Sequence, residues 1–205
     1  FLNNKFKINK KILKRPNWVM PTDYVSLDKR NKNRILAIGR LEYQKNFQLL
    51  IDSFGDKNYQ IDIVGNGTMK ETLINLANKK NCKLNFIDKK EFPELIKTIK
   101  NYKYFISTSL FEGNPKSLLD AMSNGCICFV TDIPNHREII KNNLNGYIYN
   151  QSKNNLIEIF EKNLNNPRLL NSISKNAYKD VHDSFSLTNA VNRESDDYQK
   201  LFKTT

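Results

Sequence analysis

Long apolar runs are missing from this 205-residue sequence. No stretch approaches the roughly 20 consecutive apolar residues that cross a bilayer, which excludes a membrane-spanning helix. The opening residues Phe1-Leu2-Asn3-Asn4-Lys5 lack the apolar core and cleavage site of a secretory signal, and the sequence is expected to start inside a longer chain. Cysteine is scarce: Cys82, Cys126 and Cys128 are the whole complement. An odd trio in a chain of this length is no disulfide framework. Cys126-Ile127-Cys128 lies in an apolar, strand-like run, so buried, reduced thiols are expected, and with them a reducing, cytosolic compartment. The two histidines, His136 and His182, stand at no metal-ligand spacing from the cysteines, and no metal is expected.

Acidic residues are few relative to basic ones, 21 against 33, for a formal charge of +12. Lysine and asparagine are spread along the whole chain, which reads as compositional drift. The clearest cluster is Lys5, Lys7, Lys10, Lys11, Lys14 and Arg15. A solvated basic face and contact with an anionic membrane surface both fit it. No nucleic-acid-binding module accompanies the charge, so nucleic acid is not an expected partner.

What is present is an alternation of two periods. Residues 1–33 form a basic, poorly periodic lead-in. Strands are expected at Arg34–Gly39, Tyr59–Gly65, Lys83–Ile87, Tyr104–Ser107, Ile127–Val130 and Gly146–Tyr149. Helices are expected between them at 47–54, 68–80, 92–101, 115–124 and 135–141, then at 153–164, 167–182 and 187–202. Strand–helix alternation with short links implies a Rossmann-like, doubly wound parallel sheet with a helical C-terminal tail. Such sheets bind ligands beyond the carboxyl ends of their strands.

Three loops there carry candidate chemistry. After the first strand, Gly39-Arg40-Leu41-Glu42-Tyr43-Gln44-Lys45-Asn46 offers two cations for phosphate, a glycine for close backbone approach, and Asn46 as a helix N-cap. After the second, Gly65-Asn66-Gly67 begins like a dinucleotide fingerprint, but Lys70 replaces the third glycine. A tight turn explains it equally well. After the fourth, a run of hydroxyl residues (Ser107 to Ser109) leads to Glu112-Gly113-Asn114-Pro115-Lys116-Ser117 and a helix carrying Asp120. The amides at residues 114–117 open that helix and form an anion site. Carboxylates flanking an anion site suit a hydroxyl-rich, phosphorylated ligand. His136 reads either as helix-start chemistry or as a neighbour of that ligand.

The Glu112–Asp120 segment resembles the Glu-x7-Glu motif of retaining GT-B glycosyltransferases of the family 4 type. Gly39-Arg40-Leu41 with Lys45-Asn46, Val64-Gly65-Asn66-Gly67, Ala121-Met122-Ser123-Asn124-Gly125, and Arg137-Glu138-Ile139 with Asn145-Gly146 resemble further stretches of that family, in order, from about residue 34 to 150. The resemblance implies the C-terminal, nucleotide-sugar-binding half of the GT-B fold, with the first domain upstream. Residues 34–183 would be the Rossmann-like domain and 184–205 a helix packing toward the absent one. It implies retaining, metal-independent hexosyl transfer from a UDP- or GDP-linked sugar, with no other cofactor, to a saccharide or lipid-linked acceptor. The enzyme would be cytoplasmic or peripheral at the inner face of the membrane, and inactive as this domain alone. Arg40 and Lys45 would neutralise the diphosphate and Glu112 would meet the sugar. Gly39, Gly113, Asn114, Pro115, Lys116 and Ser117 would cradle phosphate and hydroxyls, and Asp120 would hold the ribose. Asp120 stands where the family has Glu, a reach shorter by about 1.5 Å, and Asp88 stands where the family often has Gly. A non-catalytic nucleotide-binding or scaffolding module and a basic membrane-surface module are the competing readings.

Overall fold

The computed structural model describes residues 15–202. Apart from Arg15, the basic cluster of the lead-in falls outside them. Six parallel strands form one sheet in the order β3-β2-β1-β4-β5-β6. They are β1 (Asn31–Ile38), β2 (Gln60–Val64), β3 (Lys83–Ile87), β4 (Tyr102–Ser107), β5 (Ile127–Thr131) and β6 (Tyr147–Tyr149). The helices are α1 (Phe47–Phe54), α2 (Lys70–Lys79), α3 (Phe92–Ile99), α4 (Lys116–Ser123), α5 (Pro134–Arg137), α6 (Lys153–Leu164), α7 (Pro167–Phe185) and α8 (Leu187–Phe202). The Rossmann-like fold and the helical tail expected from the alternation are both present.

Strand period divides the core in two. On one face Ile35, Ala37, Ile61, Ile63, Tyr104, Ile106, Ile127 and Phe129 pack under α1, α2 and α6. Phe160 of α6 sits among Phe54, Tyr59, Tyr104 and Phe129, with ring centroids 5.0–5.3 Å away. On the other face Leu36, Val64, Phe105, Cys128 and Val130 pack under α3, α4 and α7. Burial pushes the Cys126 thiol up to about 11 and the Cys128 thiol well above its ordinary value, so both are inert packing groups. Cys82 is only half-buried.

Several boundaries depart from the sequence expectation for local reasons. β1 begins at Asn31 rather than Arg34, because the exposed residues 31–33 still pair through their backbone, Asn31 donating to Asn101 O at 3.0 Å. Helix α2 begins at Lys70 rather than 68, because Glu42 takes the N–H and hydroxyl of Thr68. Helix α5 stops at Arg137 rather than 141. The Asn145 side chain accepts from Lys141 N and donates to Ile139 O, so the chain after Arg137 is held in a loop. Asn46 occupies the N-cap position of α1, but its side chain makes no cap bond. It adopts a left-handed conformation (φ 47°), which asparagine tolerates better than most residues. Helices α6 and α7 do start at side-chain caps, Ser152 and Asn166.

The lead-in is fastened to this body. Arg30 is 4% exposed, and its guanidinium donates to the carbonyls of Val25, Tyr102 and Asn124. Val19 bridges the α7–α8 junction, donating to Phe185 O at 2.8 Å and accepting from Leu187 N at 3.1 Å. Strand order reverses between β1 and β4. The crevice at their carboxyl ends is therefore the topological switch point of the sheet.

Candidate functional site

At the switch point the β1 and β4 loops are laced together. Leu110 N donates to Gln44 O at 2.9 Å, Gln44 Nε2 to Phe111 O at 2.8 Å and Thr108 Oγ1 to Lys45 O at 2.7 Å. The lacing sets Lys45 Nζ 2.6 Å from Glu112 Oε1, in a pair 16% and 8% exposed at its two side chains. Ser109 Oγ donates to the same carboxylate oxygen at 2.6 Å. The Lys45 stem crosses directly over Gly39, where a Cβ would lie 2.8 Å from its Cε. The structure thus brings Gly39, Lys45 and Glu112 together, and Ser107-Thr108-Ser109 supplies two of the hydroxyls that hold them.

The other expected residues are arranged around this pair. Arg40 is exposed, with no ion pair among the described residues, at the rim of a cleft of about 290 Å³. Lys89 and Lys90, which the sequence reading passed over, share that rim. Only the position of their loop beyond β3 pointed to them. Gly113 faces open space, where an added Cβ would meet nothing within 4 Å. Asn135 Nδ2 holds Gly113 O at 2.8 Å. Asn114 is stitched to the lead-in, for Asn17 donates to its Oδ1 and its carbonyl at 3.1 Å each, and Asn114 Nδ2 donates to Arg15 O at 3.3 Å. Arg15 in turn pairs with Asp197 on α8.

The anion site at the start of α4 differs in detail from the expectation. Pro115 occupies the cap position, without a donor, and the Lys116 amide turns back onto Asn114 O at 2.8 Å. Ser117 is the remaining first-turn residue of the expected set, and it is half-buried. Asp120 is 3% exposed and bonded to the ammonium of Lys116. Burial pushes its carboxyl up, against the opposing pull of Lys116.

The Gly65-Asn66-Gly67 turn serves packing between loops. Leu41 N donates to Asn66 O and Met69 N to Leu41 O, both at 3.0 Å. Both glycines abut the β1 loop backbone. The turn is a tight one, and Gly65 and Asn66 also line the cleft that Arg40 borders.

His136 is fully buried beside the ion pair. Its Nδ1 lies 2.9 Å from Thr131 O. A carbonyl only accepts, so Nδ1 carries the proton and Nε2 is an acceptor. Among the described residues Nε2 has no partner. Burial pushes the imidazole pKa down. The Thr131 bond and the Glu112 charge pull it up, and Lys45 pushes it down. Sensitivity to both charges puts His136 in the same electrostatic site. The folded state therefore binds its proton below the unfolded value of about 6.5. Stability is full above that value and falls as pH drops through it toward the folded pKa, by at most about 1.4 kcal/mol per pH unit. Urea unfolding of wild type and His136→Asn between pH 5 and 7.5 checks this. Asparagine keeps an N–H for Thr131 O but does not titrate, so its curve is expected to be flatter. An unchanged slope would refute it.

The sequence profile described as glycosyl transferases group 1 matches residues 23–180. The chain belongs to that family. An amylovoran biosynthesis glycosyltransferase, AmsD of Erwinia amylovora, is 31% identical over 147 residues, 66% of this chain and 38% of its own length. An Escherichia coli UDP-Gal:alpha-D-GlcNAc-diphosphoundecaprenol alpha-1,3-galactosyltransferase is 25% identical over 186 residues, 83% of this chain and 46% of its own. The chain thus spans less than half the length of these relatives. Among solved structures, S. aureus TarM in a complex that includes UDP superposes with a TM-score of 0.82 at 20% identity, over 95% of this chain and 41% of TarM. The C-terminal domain of a glycosyl transferase group 1 family protein (LpcC) from Francisella tularensis superposes with a TM-score of 0.68 at 20% identity, over 78% of this chain and 89% of that one. These likenesses establish the Rossmann-like GT-B fold for this group 1 chain. Among its described residues, no helix is long and apolar enough to cross a membrane.

Proposed function

We propose that this group 1 chain is the nucleotide-sugar-binding half of a retaining, metal-independent hexosyltransferase. The Lys45–Glu112 pair at the switch point carries the reading: a half-buried cation and a nearly buried acid meet where a doubly wound sheet takes its ligand. In the bound state Lys45 and Arg40 face the diphosphate of a UDP- or GDP-linked sugar. Glu112, with Ser109 holding one oxygen, faces the sugar. Gly113 leaves room for the ligand, Gly39 lines the cleft beside Arg40 and lets the Lys45 stem pass, and Asn114, Pro115, Lys116 and Ser117 shape the phosphate cradle. Asp120 takes the ribose. As the glycosidic bond breaks, negative charge grows on the leaving diphosphate, and fixed cations there lower the barrier, each by roughly 3 kcal/mol. His136 Nε2, a buried acceptor with no donor among the described residues, supports a hydroxyl-bearing ligand in this place.

The acceptor half lies upstream in this reading. Residues 1–33 are the link, 34–183 the donor domain, and 184–205 the segment that packs on the other half; Val191 and Tyr198 of α8 are 55% and 61% exposed, which suits such packing. The E. coli relative is named for a UDP-sugar donor and a lipid-linked acceptor. That supports UDP as the donor nucleotide and a lipid-linked acceptor; in this reading a saccharide or lipid-linked acceptor is met at the inner face of the membrane. Titration calorimetry with UDP, GDP and ADP tests the site. UDP or GDP is expected to bind, and Arg40→Ala to weaken it about tenfold. If none of the three binds, the reading fails. The ion pair that occupies Asp120 favours one alternative, a nucleotide-binding module without transfer. Sugar transfer by the protein with its upstream half would remove that alternative.

A further inference from the structure

The carboxylate of Asp120 is occupied. Lys116, the first residue of α4, reaches one turn along the helix and bonds Asp120 Oδ1. Among the described residues this ammonium is the carboxylate's one hydrogen-bonding partner, since Ser123 and Asn124 bond the main-chain oxygen of Asp120 instead. The ammonium also lies 5.2 Å from the ring centroid of Phe92 and 6.0 Å from that of Trp18. Both rings are more than a third exposed. The cation is thus held from three sides, its two aromatic contacts weak and open to water and its carboxylate partner nearly buried.

We propose that Lys116 is a positioning residue that occupies Asp120 in the free protein and hands its ammonium to the diphosphate when nucleotide binds. The inference rests on the donor-site reading above and assigns that site a coupling it would not otherwise have. Lys116 takes Oδ1 alone, so a ligand diol that uses both carboxylate oxygens gains Oδ1 only when Lys116 leaves. The start of α4 lies one turn away, about 6 Å, within reach of the four-carbon stem. A phosphate there gives the ammonium a new partner. The vacated carboxylate is nearly buried and disfavours standing alone, and a vicinal diol supplies the two donors it lacks. Each half of the ligand thus makes the other's contact favourable. A nucleoside alone must expel Lys116 with nothing to receive it. A nucleoside diphosphate receives it.

Removing the ammonium should therefore move two affinities in opposite directions. The test titrates uridine and UDP into the chain by NMR and calorimetry, or guanosine and GDP if GDP is what wild type binds. In Lys116→Met, which keeps an apolar stem for the two rings, the diphosphate is expected to bind about tenfold more weakly and the nucleoside about threefold more tightly. Lys116→Gln serves as a second variant should the first lose its fold by circular dichroism. Adding Asp120→Asn should abolish the gain for the nucleoside. A simple phosphate cation would weaken the diphosphate and leave the nucleoside unchanged. A purely structural pair would change neither, or weaken both together. Either pattern overturns the proposal while leaving the donor site standing. Failure of wild type to bind any nucleoside diphosphate overturns both.

Discussion

Replacing Gly65 with alanine is expected to cost more than about 3 kcal/mol, a large share of the roughly 5–15 kcal/mol that holds an ordinary domain folded. Two causes act together. Gly65 has φ 146°, a region that side-chain-bearing residues rarely enter. A Cβ there would stand 2.0 Å from Gly39 O and 2.9 Å from Gly39 C. The obstacle is main chain at the end of β1, so no rotamer change relieves it. Relief must pull the β1 loop away from the β2 loop and break the bonds from Leu41 N to Asn66 O and from Met69 N to Leu41 O. Arg40 and the Lys45 stem would shift with it. Gly113→Ala is the control, because its Cβ meets nothing, and it is expected to stay within about 0.5 kcal/mol of wild type. Urea denaturation of both decides the matter. A Gly65→Ala midpoint equal to that of wild type would show that the two loops are not in contact as described.

Lys45→Met is expected to lose both stability and ligand binding, and the two losses can be separated. Removing the ammonium leaves Glu112 only 8% exposed and without its cation. Breaking a buried pair from one side costs about 3–5 kcal/mol, because the remaining charge is stranded. Ser109 Oγ still donates to Glu112, which puts the expected loss at the low end, about 3 kcal/mol. Adding Glu112→Gln removes the stranded charge, and most of the stability should return. Nucleotide affinity should not return, since the cation aimed at the diphosphate is still missing. A double variant that regains nucleotide binding would show that Lys45 acts only as a counter-ion to Glu112. A double variant no more stable than Lys45→Met would place the loss in the stem packed over Gly39.

Much of this was legible in the sequence, where a signal is local and periodic. The alternating apolar residues of β1 and β5 assign both faces of the sheet, and strand–helix succession with short links leaves little but a parallel doubly wound order. Glu112 and Lys45 were legible as a pair only through the topology, since 67 positions separate them. What escaped has a common cause, the reach of side chains across loops. Asn145 shortens α5, Glu42 delays α2, and neither act leaves a mark in periodicity. From its place at a helix start Lys116 reads as a phosphate ligand, but nothing in the sequence places Trp18 and Phe92 beside its ammonium. The Gly65-Asn66-Gly67 turn read two ways because a glycine that admits a ligand and one that admits a neighbouring strand end look alike until the neighbour is seen.

The stitching of Asn114 has a mechanical side. Asn17 and the Arg15 carbonyl grip the loop just after Glu112, Val19 is bonded into the α7–α8 junction two residues further on, and Arg15 is paired with Asp197 on α8. These bonds form a short stiff tether between the loop that follows Glu112 and the last helix. A tug on α8 is felt at Gly113 and Asn114 unless one of the tether's bonds yields first. The last described helix and the mouth of the site are therefore joined by one continuous run of bonds through Arg15, Asn17 and Val19.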